Sequence, residues 1–96
     1  MKIISVKSKA LKMLIERNDT RLIPSKYVRK VRAVLDVLVD AEDIGDVLAY
    51  PYGRPHQLKG DRAGTFAISV YANWRITFFY DETEHTIHIL DFEDYH

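Results

Sequence analysis

Three side chains able to hold a proton or a phosphate, His56, Lys59 and Arg75, fall within one stretch, His56 to Tyr80, which also carries the best strand pattern of the chain. An imidazole exchanges a proton near neutral pH, an ammonium is a mobile point charge, and a guanidinium is a planar fork of donors. Each is ordinary when taken alone. A histidine beside a turn is usually solvated, Lys59-Gly60-Asp61-Arg62 reads as a polar turn, and a strand arginine is most often exposed and ion-paired across the sheet. The elements that carry these residues decide whether they can act together.

Phe66, Ile68 and Val70 alternate with Ala67, Ser69 and Tyr71, the period of a half-buried strand. After the punctuation at Ala72-Asn73, Trp74, Ile76, Phe78 and Tyr80 share one side of a second strand, with Arg75, Thr77 and Phe79 on the other. If Ile76 and Phe78 are core, Arg75 stands on the face that an antiparallel sheet can leave open to a ligand.

A chain of 96 residues makes one small domain, here taken as 1–96. It has no cysteine, which excludes a disulfide framework and a thiolate zinc site. The four histidines show no metal-ligand spacing, and His85 and His88 read as strand residues; neither a metal nor a cofactor is expected. No signal-like or membrane-length apolar run occurs, so no membrane role is expected and the expected location is cytoplasmic. The net charge of zero conceals a division. Residues 1–40 hold ten Lys/Arg against four acids (+6), and residues 41–96 hold four against ten (−6). A basic half is compatible with a nucleic acid or an acidic partner, and equally with the solvated faces of two helices.

In chain order, Ile3, Ile4 and Val6 form a short strand, and Ser8 caps a helix over about Lys9 to Arg17 with Ala10, Leu11, Leu14 and Ile15 as its apolar stripe. Pro24 opens a second helix to Val39, with Tyr27, Val28, Val31, Val34, Leu35 and Leu38 on its buried side. A short helical turn begins at Ala41-Glu42-Asp43-Ile44, weakened by Gly45. Tyr50-Pro51-Tyr52-Gly53-Arg54-Pro55 is a connection whose two tyrosines either wedge against the sheet edge, the commoner arrangement, or stack on a planar ligand. Thr86 to Phe92 is a last strand, with Ile87 and Ile89 on one side and His88 and Leu90 on the other. This order, strand, helix, helix and then three or more antiparallel strands, predicts an α+β sandwich with two helices on one sheet face.

His56-x-Leu58-Lys59-Gly60-Asp61-Arg62-x-Gly64, Ile68-Ser69-Val70, Ala72-Asn73-Trp74-Arg75-Ile76-Thr77-Phe78 and the terminal Asp94-Tyr95-His96 together resemble the HigB toxins of bacterial toxin–antitoxin systems. These belong to the RelE/ParE superfamily, some being called plasmid maintenance killer proteins. The resemblance spans essentially the whole chain and implies an α+β fold of the RelE/ParE kind, a small curved antiparallel sheet with two N-terminal helices packed on one face, in agreement with that order. It implies a ribosome-dependent mRNA endoribonuclease that works in the decoding site, with no metal. Carried over by position, His56, Lys59, Arg75, Asp94, Tyr95 and His96 would be catalytic, and Asn73 and Arg62 would bind RNA. The implied partners are a helix-turn-helix antitoxin of the HigA kind, the ribosome with its mRNA, and operator DNA reached only through the antitoxin complex. The chain departs from relatives in having Gln57 after the histidine, and Val70-Tyr71 where several have an arginine.

Cleavage of this type uses the RNA 2′-hydroxyl as nucleophile on the adjacent phosphorus. Two imidazoles, His56 and His96, can serve as base and acid in either order, Lys59 and Arg75 as a cationic clamp, Tyr95 as a stacking or hydrogen-bonding group, and Asp94 as an orienting or proton-accepting carboxylate. Two rival readings keep the fold without the chemistry. One is a ParE-like inhibitor of a protein such as gyrase, and the other is an inactive relative that retains only antitoxin binding.

Overall fold

Ile76, Ile68 and Ile87, drawn from three neighbouring strands, are completely buried on one face of a five-stranded sheet, and the helices of the N-terminal half cover them. The computed structural model describes residues 1–94. Its elements run β1 (Lys2–Ile3), α1 (Lys9–Arg17), a 3₁₀ turn (Ser25–Tyr27) leading into α2 (Val28–Asp40), α3 (Ile44–Leu48), β2 (His56–Gln57), a 3₁₀ turn (Gly60–Arg62), β3 (Thr65–Tyr71), β4 (Trp74–Asp81) and β5 (Thr86–Asp94). The strand order is β1-β5-β4-β3-β2. All pairings are antiparallel except β1 with β5, so the sheet is mixed at one edge.

The helices form where the sequence places them, for identifiable reasons. Ser8 Oγ accepts from the Leu11 amide to start α1, and Asn18, at φ 54°, ends it, its amide donating to the Leu14 carbonyl and the Asp19 amide to the Met13 carbonyl. Leu11 and Leu14 of α1 and Val31, Val34, Leu35 and Leu38 of α2 enter the same core as Phe66, Ile68, Phe78, Ile87 and Leu90. Burying one such side chain contributes about 1.5–3 kcal/mol, which is how a valine-rich α2 is held despite its weak intrinsic propensity. The third helix persists in spite of Gly45. Asp43 accepts from the Asp46 amide while Asp46 accepts from the Glu42 amide, and Val47 is fully buried beneath it.

β5 departs from simple alternation. Thr77 pairs with Asp91 but Phe79 pairs with His88, so β5 spends one extra residue on its partner. That residue is Ile89, with φ 54° and 55% exposure, while Ile87 and Leu90 on either side are completely buried. The expectation that Ile87 and Ile89 share a face is therefore wrong, because a bulge shifts the pattern by one position. Ser5 holds it in place: its hydroxyl accepts from the Ile89 amide and its carbonyl from the Leu90 amide. This use of Ser5 also explains why the N-terminal strand is shorter than expected, with Val6 making only an isolated bridge to Leu90. His85 belongs to the turn before β5, not to a strand, with its Nδ1 2.7 Å from the Tyr80 hydroxyl.

A β-branched residue in the left-handed region is strained, and an exposed one contributes little packing in return. Replacing Ile89 by Gly is expected to raise the unfolding free energy by about 0.5–1 kcal/mol, read from denaturant midpoints, while Ser5→Ala lowers it by about 1 kcal/mol.

Candidate functional site

On the face away from the helices, residues paired across the strands line up in rows. Ser69, Arg75 and Glu93 form one row and His56, Ala67, Thr77 and Asp91 the next. Arg75 thus lies on the open side, as alternation predicts, and His56 joins it. The two line one cleft of about 410 Å³ together with Arg54, Pro55 and Ser69. Among the described residues, this is the pair of sequence-expected groups that the fold brings together.

The loop before β2 sets the position of His56. The Gly53 carbonyl accepts from the Ser69 amide at 2.7 Å, fastening the loop to the edge of β3. Gly53 has φ 70°, and a Cβ there would lie 2.5 Å from the Ser69 carbonyl oxygen and 2.7 Å from Ile68 Cγ2, so no side chain fits. Arg54 follows at φ 47°, and its carbonyl oxygen sits 2.8 Å from His56 Nδ1. A carbonyl oxygen can only accept, so Nδ1 carries the proton. In the neutral ring that leaves the lone pair on Nε2, the form of a general base with its tautomer fixed by the backbone.

The other expected residues are distributed differently. Lys59 is exposed ahead of the Gly60–Arg62 turn and does not line the cleft. Asn73 is exposed in the two-residue turn between β3 and β4, after Ala72 at φ 48°. Arg62, expected to meet RNA, reaches across to Glu93 with an N–O distance of 2.8 Å. Asp94 is the cross-strand partner of Trp74, so the pleat sets it on the helix side of the sheet rather than on the face with Arg75. Tyr95 and His96 lie outside the described residues.

Arg54, Ser69 and Glu93 were missed in the sequence. Glu93 sits directly across from Arg75 and receives hydrogen bonds from Arg62 and from the hydroxyl of Thr77, a side chain that is itself buried. The Arg62 guanidinium, followed by Thr77 and by the charges of Arg62 and Lys7, holds its carboxyl below the ordinary value of 4.5, against a smaller upward pull from burial. Uninterrupted alternation along β5 would have put Glu93 on the other face; the only sequence sign of the bulge is the break in the apolar pattern at Ile89-Leu90. Arg54 could have been noticed as a cation between a glycine and a proline, where a tight loop presents its side chain. His88 is engaged locally, its Nε2 2.8 Å from Thr86 Oγ1.

A sequence profile described as the RelE-like toxin of the type II toxin–antitoxin system HigB matches residues 4–96. The chain is 40% identical over 92 residues to a protein of Proteus vulgaris named Endoribonuclease HigB, covering 96% of this chain and 97% of that one. Among solved structures, the YoeB/ParE toxin from Agrobacterium tumefaciens superposes with a TM-score of 0.64 at 17% identity, covering 100% of this chain and 99% of that one. The YoeB-YefM complex from Staphylococcus aureus gives 0.58 at 17% identity, covering 100% and 97%. At such identities these two structures speak for the fold.

Two variants probe the supports of the cleft. Gly53→Ala is expected to destabilise the chain by more than about 1 kcal/mol, seen in denaturant melts, and to reduce growth arrest on expression although no polar side chain is lost. Arg62→Met tests the Glu93 pair through pH. A carboxyl with a lowered folded pKa contributes stability that is complete above its ordinary value and is lost as the pH falls through the lowered one. The stability gap between wild type and Arg62→Met is therefore expected to be open at pH 7 and to close as acid takes the pH below the ordinary carboxyl value of 4.5 and through the lowered one.

Proposed function

This chain belongs to the RelE-like HigB toxins of type II toxin–antitoxin systems, and on that premise we propose that it is an endoribonuclease whose open sheet face cuts mRNA on the ribosome. The observation that carries the reading is the shared cleft of His56 and Arg75, with His56 Nδ1 already committed to the Arg54 carbonyl. A ring held in this way receives the 2′-hydroxyl proton through Nε2. The guanidinium of Arg75 offers two parallel donors to the non-bridging phosphate oxygens as negative charge builds on them, and Arg54 adds a second cation at the same cleft. Attack of the 2′-oxygen on phosphorus breaks the bond to the 5′-oxygen and leaves a cyclic phosphate. The leaving oxygen takes a proton from an acid that this reading assigns to His96 at the carboxy terminus, with Tyr95 beside it.

The described part of the cleft holds one imidazole and two guanidinium groups, too few to align a flexible strand alone. Holding the reacting atoms in line removes several kcal/mol from a barrier, on the order of 7 or more in favourable cases. In the proposed reaction the decoding site does the holding, and the toxin brings the proton acceptor and the cations. Lys59 and Asn73, exposed near the rim, contact the RNA or the ribosome around it. Asp94, opposite Trp74, is given no part in the proton transfers. A helix-turn-helix antitoxin keeps the toxin silent, represses its own operator as part of the complex, and acts with it in the cytoplasm, where translating ribosomes are found.

His56→Ala and Arg75→Ala are each expected to reduce cleavage of mRNA on translating ribosomes by roughly 10²–10⁴-fold while antitoxin binding is retained, as measured by mapping 5′ ends against reading frame. Removal of Tyr95 and His96 is expected to abolish growth arrest likewise. Undiminished toxicity of His56→Ala without new mRNA ends would replace the enzyme with a protein-binding inhibitor. Equal cleavage rates on naked and translating mRNA would take the ribosome out of the mechanism.

A further inference from the structure

A larger concavity, about 730 Å³, lies beside the cleft, between α2 and the 50–53 loop. Ser69 lines both hollows, and they adjoin across the Gly53-Arg54 loop, which the bond from the Ser69 amide to the Gly53 carbonyl fastens to the edge of β3. Its walls are unusual for a surface groove. Arg29 and Lys30 enter from α2, the tyrosines 50, 52 and 71 from the loop and the end of β3, and no carboxylate is among the lining residues.

The three rings are not equivalent. Tyr50 is half-buried against the core, and Tyr71 is stacked on the buried Tyr27 with a centroid distance of 4.8 Å. Lys26 and Lys30 also lie over Tyr71, 5.4 and 5.5 Å from its centre. Tyr52 meets Tyr50 edge-on at 5.5 Å and is otherwise 69% exposed. Tyr50 therefore occupies the wedge position, whereas Tyr52 leaves its ring open to the groove.

We infer that this groove is a subsite for a nucleotide flanking the scissile bond, with its base stacked on Tyr52 and its phosphates met by Arg29 and Lys30. The inference rests on the cleavage reading and extends it to recognition of the strand. An aromatic platform beside a track of cations is how single strands are held without base-specific contacts. Continuity favours RNA over an acidic peptide. A strand whose phosphate lies between His56 and Arg75 need only cross the side-chain-free Gly53 beside Ser69 to enter the groove, where a carboxylate would repel it and none lines it among the described residues. Part of the basic charge of residues 1–40 thereby acquires a role.

The test uses the full chain and a short fluorescein-labelled single-stranded RNA with 2′-O-methyl riboses, which cannot supply the attacking hydroxyl, followed by anisotropy over a salt series. Tyr52→Ala is expected to weaken binding about tenfold or more, and Tyr52→Phe to retain it. Lys30→Ala is expected to reduce the slope of log affinity on log salt by about 0.7, one phosphate contact on a single strand. Tyr52 and Lys30 are exposed, and unchanged melting temperatures confirm that the variants fold. Full affinity in Tyr52→Ala overturns the inference, as does a wild-type chain that fails to bind the strand at low salt. Lost antitoxin binding with unchanged RNA affinity assigns the groove to a protein partner and overturns it too. None of these results touches the cleavage reading, which stands or falls with the mRNA ends produced by His56→Ala.

Discussion

One inserted residue in β5 governs what the open face of the sheet carries. Were the pairing of Phe79 with His88 continued without a bulge, Leu90 would stand opposite Thr77 and Phe92 opposite Arg75, and Asp91 would be driven into the core beside Ile76. With Ile89 set out of line, Leu90 returns to the core and Glu93 takes the place across from Arg75. A bulge also increases local twist, which curves a short sheet into a shallow hollow. The strained backbone at Ile89 is the local cost of this arrangement, offset by two hydrogen bonds from Ser5 and by burial of Ile87 and Leu90.

Legibility followed periodicity. The core faces of β3, β4 and α2 could be read from their apolar spacing, whereas in α1 Leu11 and Leu14 are buried as expected but Ile15, assigned to the same stripe, is exposed. Arg75 was accordingly placed on the correct face. What could not be read is whatever depends on a break in the period or on contacts distant in sequence. The bulge moved Glu93 onto the site. The Asp43 and Asp46 side-chain bonds steady the short helix that was expected to be weakened by Gly45, and the short β2 exists only because His56 and Gln57 find Ala67 and Phe66. The pairing of Arg62 with Glu93 could not be read either, since it joins residues 31 apart in the chain.

The charge division acquires a spatial meaning. Glu93 and Asp91 bring carboxylates to the same face as Arg75, and Arg62 is largely taken up in balancing one of them. The face proposed for cleavage therefore mixes signs and exerts a modest field on a polyanion. Arg29, Lys30 and Lys26 stand instead around the edge of β3, where no acid lines the groove. Separating the two suits an enzyme that must grip a strand yet concentrate its proton chemistry at one phosphate.

The site is assembled on two supports of different stiffness. Arg75 and Ser69 belong to strands paired on both sides or pinned at the edge, and their positions follow from the sheet. His56 lies just beyond a loop of two consecutive left-handed residues, Gly53 and Arg54, whose hold on the sheet includes the bond from the Ser69 amide to the Gly53 carbonyl. That same loop fixes the imidazole tautomer through the Arg54 carbonyl and presents Tyr52 to the groove. The proposed strand placement, the proposed proton acceptance and the seating of β2 are thus mechanically joined at Gly53. A displacement there disturbs all three together, although glycine itself offers no side chain to any of them.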